Sequence, residues 1–266
     1  GTPIRTQGAP LLNLSREVPQ PDAALAVDRD LLKRLDRIHR RRRPGHLQLD
    51  ARIASYNLAA RMQLEATDAL DLAQESESTL KSYGVGNKTT DNYARRCVMA
   101  RRLVERGVRF VQVYYGNGQP WDTHHGHNAR AASLCRDIDR PIAALLDDLA
   151  RSGLLEDTLV VWGGEFGRTP YSQIDKNKKK GKAGRDHHHT GFSMFLAGGG
   201  IRGGLTYGAT DELGMHAVEN RVHVHDLHAT LLHLLGLDHK ALTFRHNGVE
   251  RRLTDVHGHV IKDLIA

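Results

Sequence analysis

The periodicity of the apolar residues changes character at Gly107, and that change limits the folds open to the chain. Before it, apolar side chains recur three and four residues apart, the spacing that lines one face of a helix. Leu31, Leu32, Leu35 and Ile38 predict a helix over Asp28 to His39, stopped by Pro44-Gly45. Leu49, Ile53, Tyr56, Ala60 and Leu64 predict a second, over Leu47 to Thr67. A third is expected from Asp71 to Tyr83, ending at Gly84. A fourth begins near Thr90 and stops at Gly107, with Tyr93, Cys97, Ala100, Leu103 and Val104 turned inward. Residues 1 to 27, which carry Pro3, Pro10, Pro19 and Pro21, read as an extended N-terminal segment.

After Gly107 the pattern is that of alternating strands and helices. Val108 to Tyr115 is an apolar, β-branched run of strand length. Asn128 to Ser152 predicts a helix with Ile142, Leu145, Leu146 and Leu149 as its buried stripe. Thr158 to Trp162 and Phe192 to Ala197 read as short buried strands, each ending in glycines. Val224 to Leu235 reads as a helix entered through Asp226 and stopped by Gly236. Short connections between such elements argue for a parallel sheet covered by helices. Asn247-Gly248 between two strand-like runs predicts a type I′ hairpin. The organisation expected is therefore a mainly helical part over 1–106 and an α/β part over 107–266.

Composition narrows the function classes. With 39% hydrophobic and 26% charged residues, the 266-residue chain is neither disordered nor fibrous. No run approaches the roughly 20 apolar residues of a membrane span, so no span is expected. The first residues, Gly1-Thr2-Pro3-Ile4-Arg5, carry no export signal and no initiator Met, which reads as a piece of a longer protein. Cys97 and Cys135 allow at most one bridge, so no disulfide framework holds the fold. The net charge of +7 is concentrated in Arg40 to Arg43 and in Lys176, Lys178, Lys179, Lys180 and Lys182. No aromatic platform or recognition motif accompanies these runs. They read as solvated surface with some attraction for small anions, and nucleic acid is not an expected partner.

Seventeen histidines are present, and only His39 and His46 precede residue 124. In open α/β sheets ligands bind beyond the carboxyl ends of strands, and three polar clusters flank the expected strands. The first runs from Gln119 through Asp122, His124 and His125 to His127. The second holds Glu165, Arg168 and Thr169. The third is Arg185-Asp186-His187-His188-His189-Thr190. Asp, Glu and His together offer the oxygen and nitrogen donors of a divalent, zinc-like or calcium-like ion. Arg168 and Arg185 suit the oxygens of a phosphate or sulfate. Each cluster also has a plainer reading: Asp-x-His as a capped turn, the histidine run as a solvated tip, Glu165 as a cap. His228 and His233 read as structural, and His257 and His259 as surface residues.

The motifs Trp121-Asp122-Thr123-His124, Gly164-Glu165-Phe166-Gly167-Arg168-Thr169-Pro170, Gly184-Arg185-Asp186-His187 and Leu196-Ala197-Gly198-Gly199-Gly200 occur in order. They are followed by Gly208-Ala209-Thr210-Asp211-Glu212, Val222 to His228 and Leu253 to Gly258. This series resembles the bacterial sulfatase-like family known as domain of unknown function 1501, in the alkaline phosphatase superfamily. The resemblance implies an α/β/α sandwich around a mixed sheet, of which this chain would supply the middle and C-terminal portion. It implies, for the full-length protein, a metal-dependent hydrolase of sulfuric or phosphoric esters, with the present chain a fragment that lacks the nucleophile and is inactive alone. Asp122, His124 (or His125), Glu165, Asp186 and His187 (or His189) would be metal ligands. Arg168 and Arg185 would steady the anionic ester, small molecule or glycan, and His125 or His189 would protonate the leaving oxygen. His127 is held in reserve as a ligand.

Two features depart from the superfamily pattern. Zinc phosphatases carry Asp-His where this chain has Glu165-Phe166, and no strand and loop bearing a nucleophile precedes residue 107. Thr169 and Thr190 are the hydroxyls that remain. A non-catalytic module of the same fold, binding sulfated or phosphorylated glycans, is the alternative expectation. Relatives often carry an export signal, which implies a periplasmic or secreted protein.

Overall fold

The computed structural model describes residues 3–6, 8, 11, 20–116, 118–173 and 183–266, with the backbone alone for 22 and 58–67. The five lysines of the 176–182 run and most of the proline-bearing N-terminal segment lie outside the described residues. Helices and strands both contribute, as an α/β chain requires. The chain divides into two compact units, residues 1–81 with 95–113, and residues 82–94 with 114–266.

In the first unit, α1 covers Asp22–Arg41 and α2 covers Leu47–Leu70. α1 begins six residues earlier than its leucine spacing predicts, directly after Pro21, whose extended backbone opens the helix. Both stop signals act, since Gly45 adopts φ 76° between the two helices. Their apolar stripes are less covered than expected: Leu31, Leu32, Leu35, Ile38 and Tyr56 are all exposed. The single helix expected over Asp71 to Tyr83 is instead a short 3-10 turn, Leu72–Gln74, and α3, Glu77–Tyr83. The break has a local cause. Asp71 turns its carboxylate back to the Ala73 N–H at 3.0 Å, a helix start rather than a helix interior. α4 spans Asp91–Glu105, within two residues of expectation. Ala69, Leu70, Leu72, Cys97, Val98, Met99 and Ala100 form the core of this unit.

That core also buries charge. The Glu75 carboxylate takes hydrogen bonds from Arg101, at 2.6 Å, and from Arg102. Arg102 further donates to the Ala69 carbonyl at 2.8 Å and the Asp68 carbonyl at 2.7 Å. Those carbonyls belong to the last turn of α2, so a guanidinium satisfies groups that a helix end leaves without partners.

In the second unit α5, His127–Arg151, is the longest element. It buries Ile138, Pro141, Ala144 and Leu149, a stripe that shares only Leu149 with the predicted one. Tyr83 is wholly buried and donates its hydroxyl to Asp148 at 2.9 Å. α6, Val224–Leu234, is entered through His223, whose ring accepts the His225 N–H while Asp226 accepts the His223 N–H, a reciprocal cap. The predicted hairpin forms as β7 (Thr243–His246) and β8 (Val249–Arg252), with Asn247 at φ 50° and Gly248 at φ 78°, the two positive angles of a type I′ turn.

The sheet differs from expectation. Strands form at β1 (Val160–Trp162), β2 (Gly167–Arg168), β3 (His187–His188), β4 (Phe195–Ala197), β5 (Ala209–Thr210) and β6 (Ala217–Glu219). They pair as β1 with β4, β2 with β3 and β5 with β6, all antiparallel and two-stranded, rather than in a parallel sheet. Val108 to Tyr115 enters no strand pairing among the described residues. A strand persists only where a neighbour pairs its backbone, and the nearest apolar strands in sequence, β1 and β4, pair with each other. A two-stranded ladder also cannot cover both of its faces. Trp162, expected to be buried, is 42% exposed for that reason.

Candidate metal centre

Cross-links between loops assemble the site. β2 and β3 set Arg168 opposite His187. Beyond them the Thr169 N–H donates to the Asp186 carbonyl at 2.9 Å, and Gln173 and Gly184 exchange two backbone bonds at 2.8 and 3.1 Å. The segment 122–127 lies along this ribbon. The Arg185 N–H donates to the Thr123 carbonyl at 3.2 Å, and the His127 N–H donates to the Ala183 carbonyl at 3.2 Å. The three clusters that the sequence separates are thereby one structure, although among the described residues no strand leads into the first.

Asp122, His124 and His187 meet at its centre. Asp122 Oδ1 lies 3.0 Å from His124 Nε2 and 3.0 Å from His187 Nε2. One ligand atom from each residue falls within 4.8 Å of the others. Donors about 2.0–2.1 Å from a shared tetrahedral ion stand about 3.3 Å apart, and the two 3.0 Å separations from Asp122 Oδ1 lie close to that value. Side-chain exposures of 26, 33 and 46% for Asp122, His124 and His187 leave the group open to solvent.

The surroundings prepare that carboxylate. Arg168 donates to Asp122 Oδ1 at 2.7 Å and to the Trp121 carbonyl at 3.1 Å. The Arg168 guanidinium, followed by His187, holds the Asp122 carboxyl below the usual carboxylate range. Gln173 Oε1 stands 2.7 Å from His124 Nδ1, on the far side of that ring. Phe166 packs its ring 4.5 Å from that of His187. Partial burial, and then the nearby Arg185 and Arg168 charges, push His127 below the ordinary histidine value, and its Nδ1 lies 2.6 Å from the Thr123 hydroxyl.

The other predicted residues stand around this trio. Asp186 Oδ1 is 3.8 Å from His124 Nδ1 and 3.9 Å from His187 Nδ1, behind the rings rather than among their Nε2 atoms. Glu165 is exposed and outside the trio. His125 is exposed and pairs its backbone with Ala183, and His189 is exposed just past β3. Arg185 donates to the Thr169 carbonyl at 2.6 Å. Both candidate hydroxyls are engaged structurally. Thr169 is buried, donates to the Tyr171 carbonyl at 2.9 Å and accepts from the Asp186 N–H at 3.1 Å. Thr190 donates to the Met215 carbonyl at 2.7 Å. The sequence reading missed Gln173, a polar loop residue that no motif distinguishes.

Among curated proteins and among solved structures no significant match to this chain is found. The family model described as "Protein of unknown function (DUF1501)" matches residues 1–265, and the chain belongs to that family.

Proposed function

We propose that the protein is a metal-dependent hydrolase of sulfuric or phosphoric esters, built on an alkaline phosphatase-like sandwich. One observation carries the reading. Two imidazole Nε2 atoms and a carboxylate oxygen, drawn from loops 65 residues apart, converge at 3.0 Å beside an arginine. Asp122, His124 and His187 would hold one divalent ion, zinc being the fit by donor type. Such an ion supplies Lewis acidity toward the ester oxygens and lowers the pKa of a water or hydroxyl nucleophile. Arg168 keeps Asp122 ionised and adds positive charge beside the ester, and Arg185 steadies its remaining oxygens. His125 and His189, exposed on the same ribbon, are the proposed donors to the leaving oxygen. Phe166 packs on His187 where zinc phosphatases carry a histidine, which favours one ion over two.

Elemental analysis of the purified protein, with a panel of aryl sulfate and phosphate esters, tests this. Turnover that a chelator abolishes, and metal lost from Asp122→Ala and His187→Ala, is the expected result. Unchanged metal content in those variants would sink the ligand assignment. Tight binding of sulfated or phosphorylated glycans with neither metal nor turnover would instead establish the non-catalytic module. We further propose a periplasmic or secreted location, on the family resemblance; fractionation of the source cells checks it.

A further inference from the structure

We propose that Gln173 is a positioning residue that holds His124 in the tautomer protonated at Nδ1 and so aims a bare Nε2 at the metal. The inference rests on the metal reading of the trio and deepens it. The Gln173 side chain presents Oε1, an acceptor without a proton, 2.7 Å from His124 Nδ1. The contact is a hydrogen bond only if Nδ1 carries the proton. A neutral imidazole has one ring proton, so its Nε2 then faces Asp122 Oδ1 with a lone pair at 3.0 Å. Two acceptors at that separation repel unless a cation lies with them, and such an arrangement is productive when a metal ion shares both.

The backbone fixes Gln173 where this is possible. Its N–H and C=O both pair with Gly184, at 2.8 and 3.1 Å, on the ribbon that leads to Asp186 and His187. The amide is therefore anchored by its main chain, while only its side chain reaches the ring. Asp186, 3.8 Å from the same Nδ1, is too distant to hold that proton itself. An outer partner of this kind ordinarily sets ring orientation and ligand basicity.

The test uses long-range 15N spectra of the histidine rings in the metal-free protein and zinc affinity by chelator competition. Wild type is expected to show His124 protonated at Nδ1. Gln173→Leu should lose that pattern and weaken zinc binding by about 10–100-fold. Gln173→Glu, which keeps an acceptor oxygen and places no donor there, should restore both. Gln173→Leu with an unchanged tautomer and unchanged zinc affinity overturns the proposal, and so does Gln173→Glu behaving like Gln173→Leu. If the tautomer follows Gln173 but wild type takes up no zinc, the positioning role stands and the metal reading of the trio fails.

Discussion

Gly184 occupies a place that no side chain fits. A β-carbon there would lie 1.9 Å from the His124 carbonyl carbon and 2.4 Å from the His125 nitrogen, both backbone atoms that cannot swing aside. Gly184→Ala must therefore push the 122–127 segment off the ribbon. Loss of zinc uptake together with a lowered melting temperature is expected, read by metal titration and a thermal scan. A variant with wild-type values would show that ligand spacing does not depend on this close approach. At this scale the site was partly legible. Asp122, His124 and His187 announce themselves because carboxylates and imidazoles clustered in short loops are the donor types that metal chemistry needs. Gln173 does not, because its contribution is one contact across 49 residues with nothing local to mark it. Glu165 differs: its type suits a ligand, but its side chain is exposed and is not one of the trio.

Elements were legible where their signals are local. α4 and the β7–β8 hairpin stand within two residues of expectation because helix periodicity, Asn-Gly and Gly107 act over a single turn. Their surroundings yield two further expectations. Glu75, 10% exposed, is held between Arg101 and Arg102, so Glu75→Gln takes the carboxylate from the buried Arg102 guanidinium and leaves Arg101 its pairing with Glu105. A cost of about 3–5 kcal/mol is expected, read from denaturant midpoints. Burial pushes the Glu75 carboxyl up, but hydrogen bonds from Arg102 and Arg101 outweigh it and hold the group below the usual glutamate value of 4.5. A carboxyl depressed by folding stabilises the fold above its unfolded pKa, and that contribution is lost as pH falls through the folded one. The gap between wild type and Glu75→Gln should accordingly close on acidification below pH 4.5; a gap that widens would refute the pairing. At α6, Asp226 accepts from the His223 and His259 N–H groups at 3.0 and 2.8 Å. Asp226→Ala should cost about 1 kcal/mol and speed hydrogen exchange at His223 and His259, whereas unchanged exchange at both would rule out the cap.

For the whole molecule, a ligand that binds only the folded state stabilises it by mass action, about 2.7 kcal/mol at one hundred times its Kd. Zinc should raise the melting temperature of the wild type and leave Asp122→Ala/His187→Ala unmoved; equal shifts in both would place the ion elsewhere. The chain's own sequence determined the breaks at Gly45 and Gly107, the extent of α4, the hairpin, and which residue types carry the chemistry, since periodicity and turn preference operate over a few neighbouring residues. Only the tertiary structure decided which strands pair and which side chains meet. Val108 to Tyr115 has strand composition but no pairing among the described residues, and β1 and β4 join antiparallel where a parallel sheet was expected. The convergence of Asp122 with His187 depends on Arg168 standing opposite His187 and on the bonds from Arg185 and His127 to the neighbouring loop. Those are long-range pairings whose partners are chosen by backbone hydrogen-bond satisfaction and close packing, and neither leaves a mark in local residue spacing.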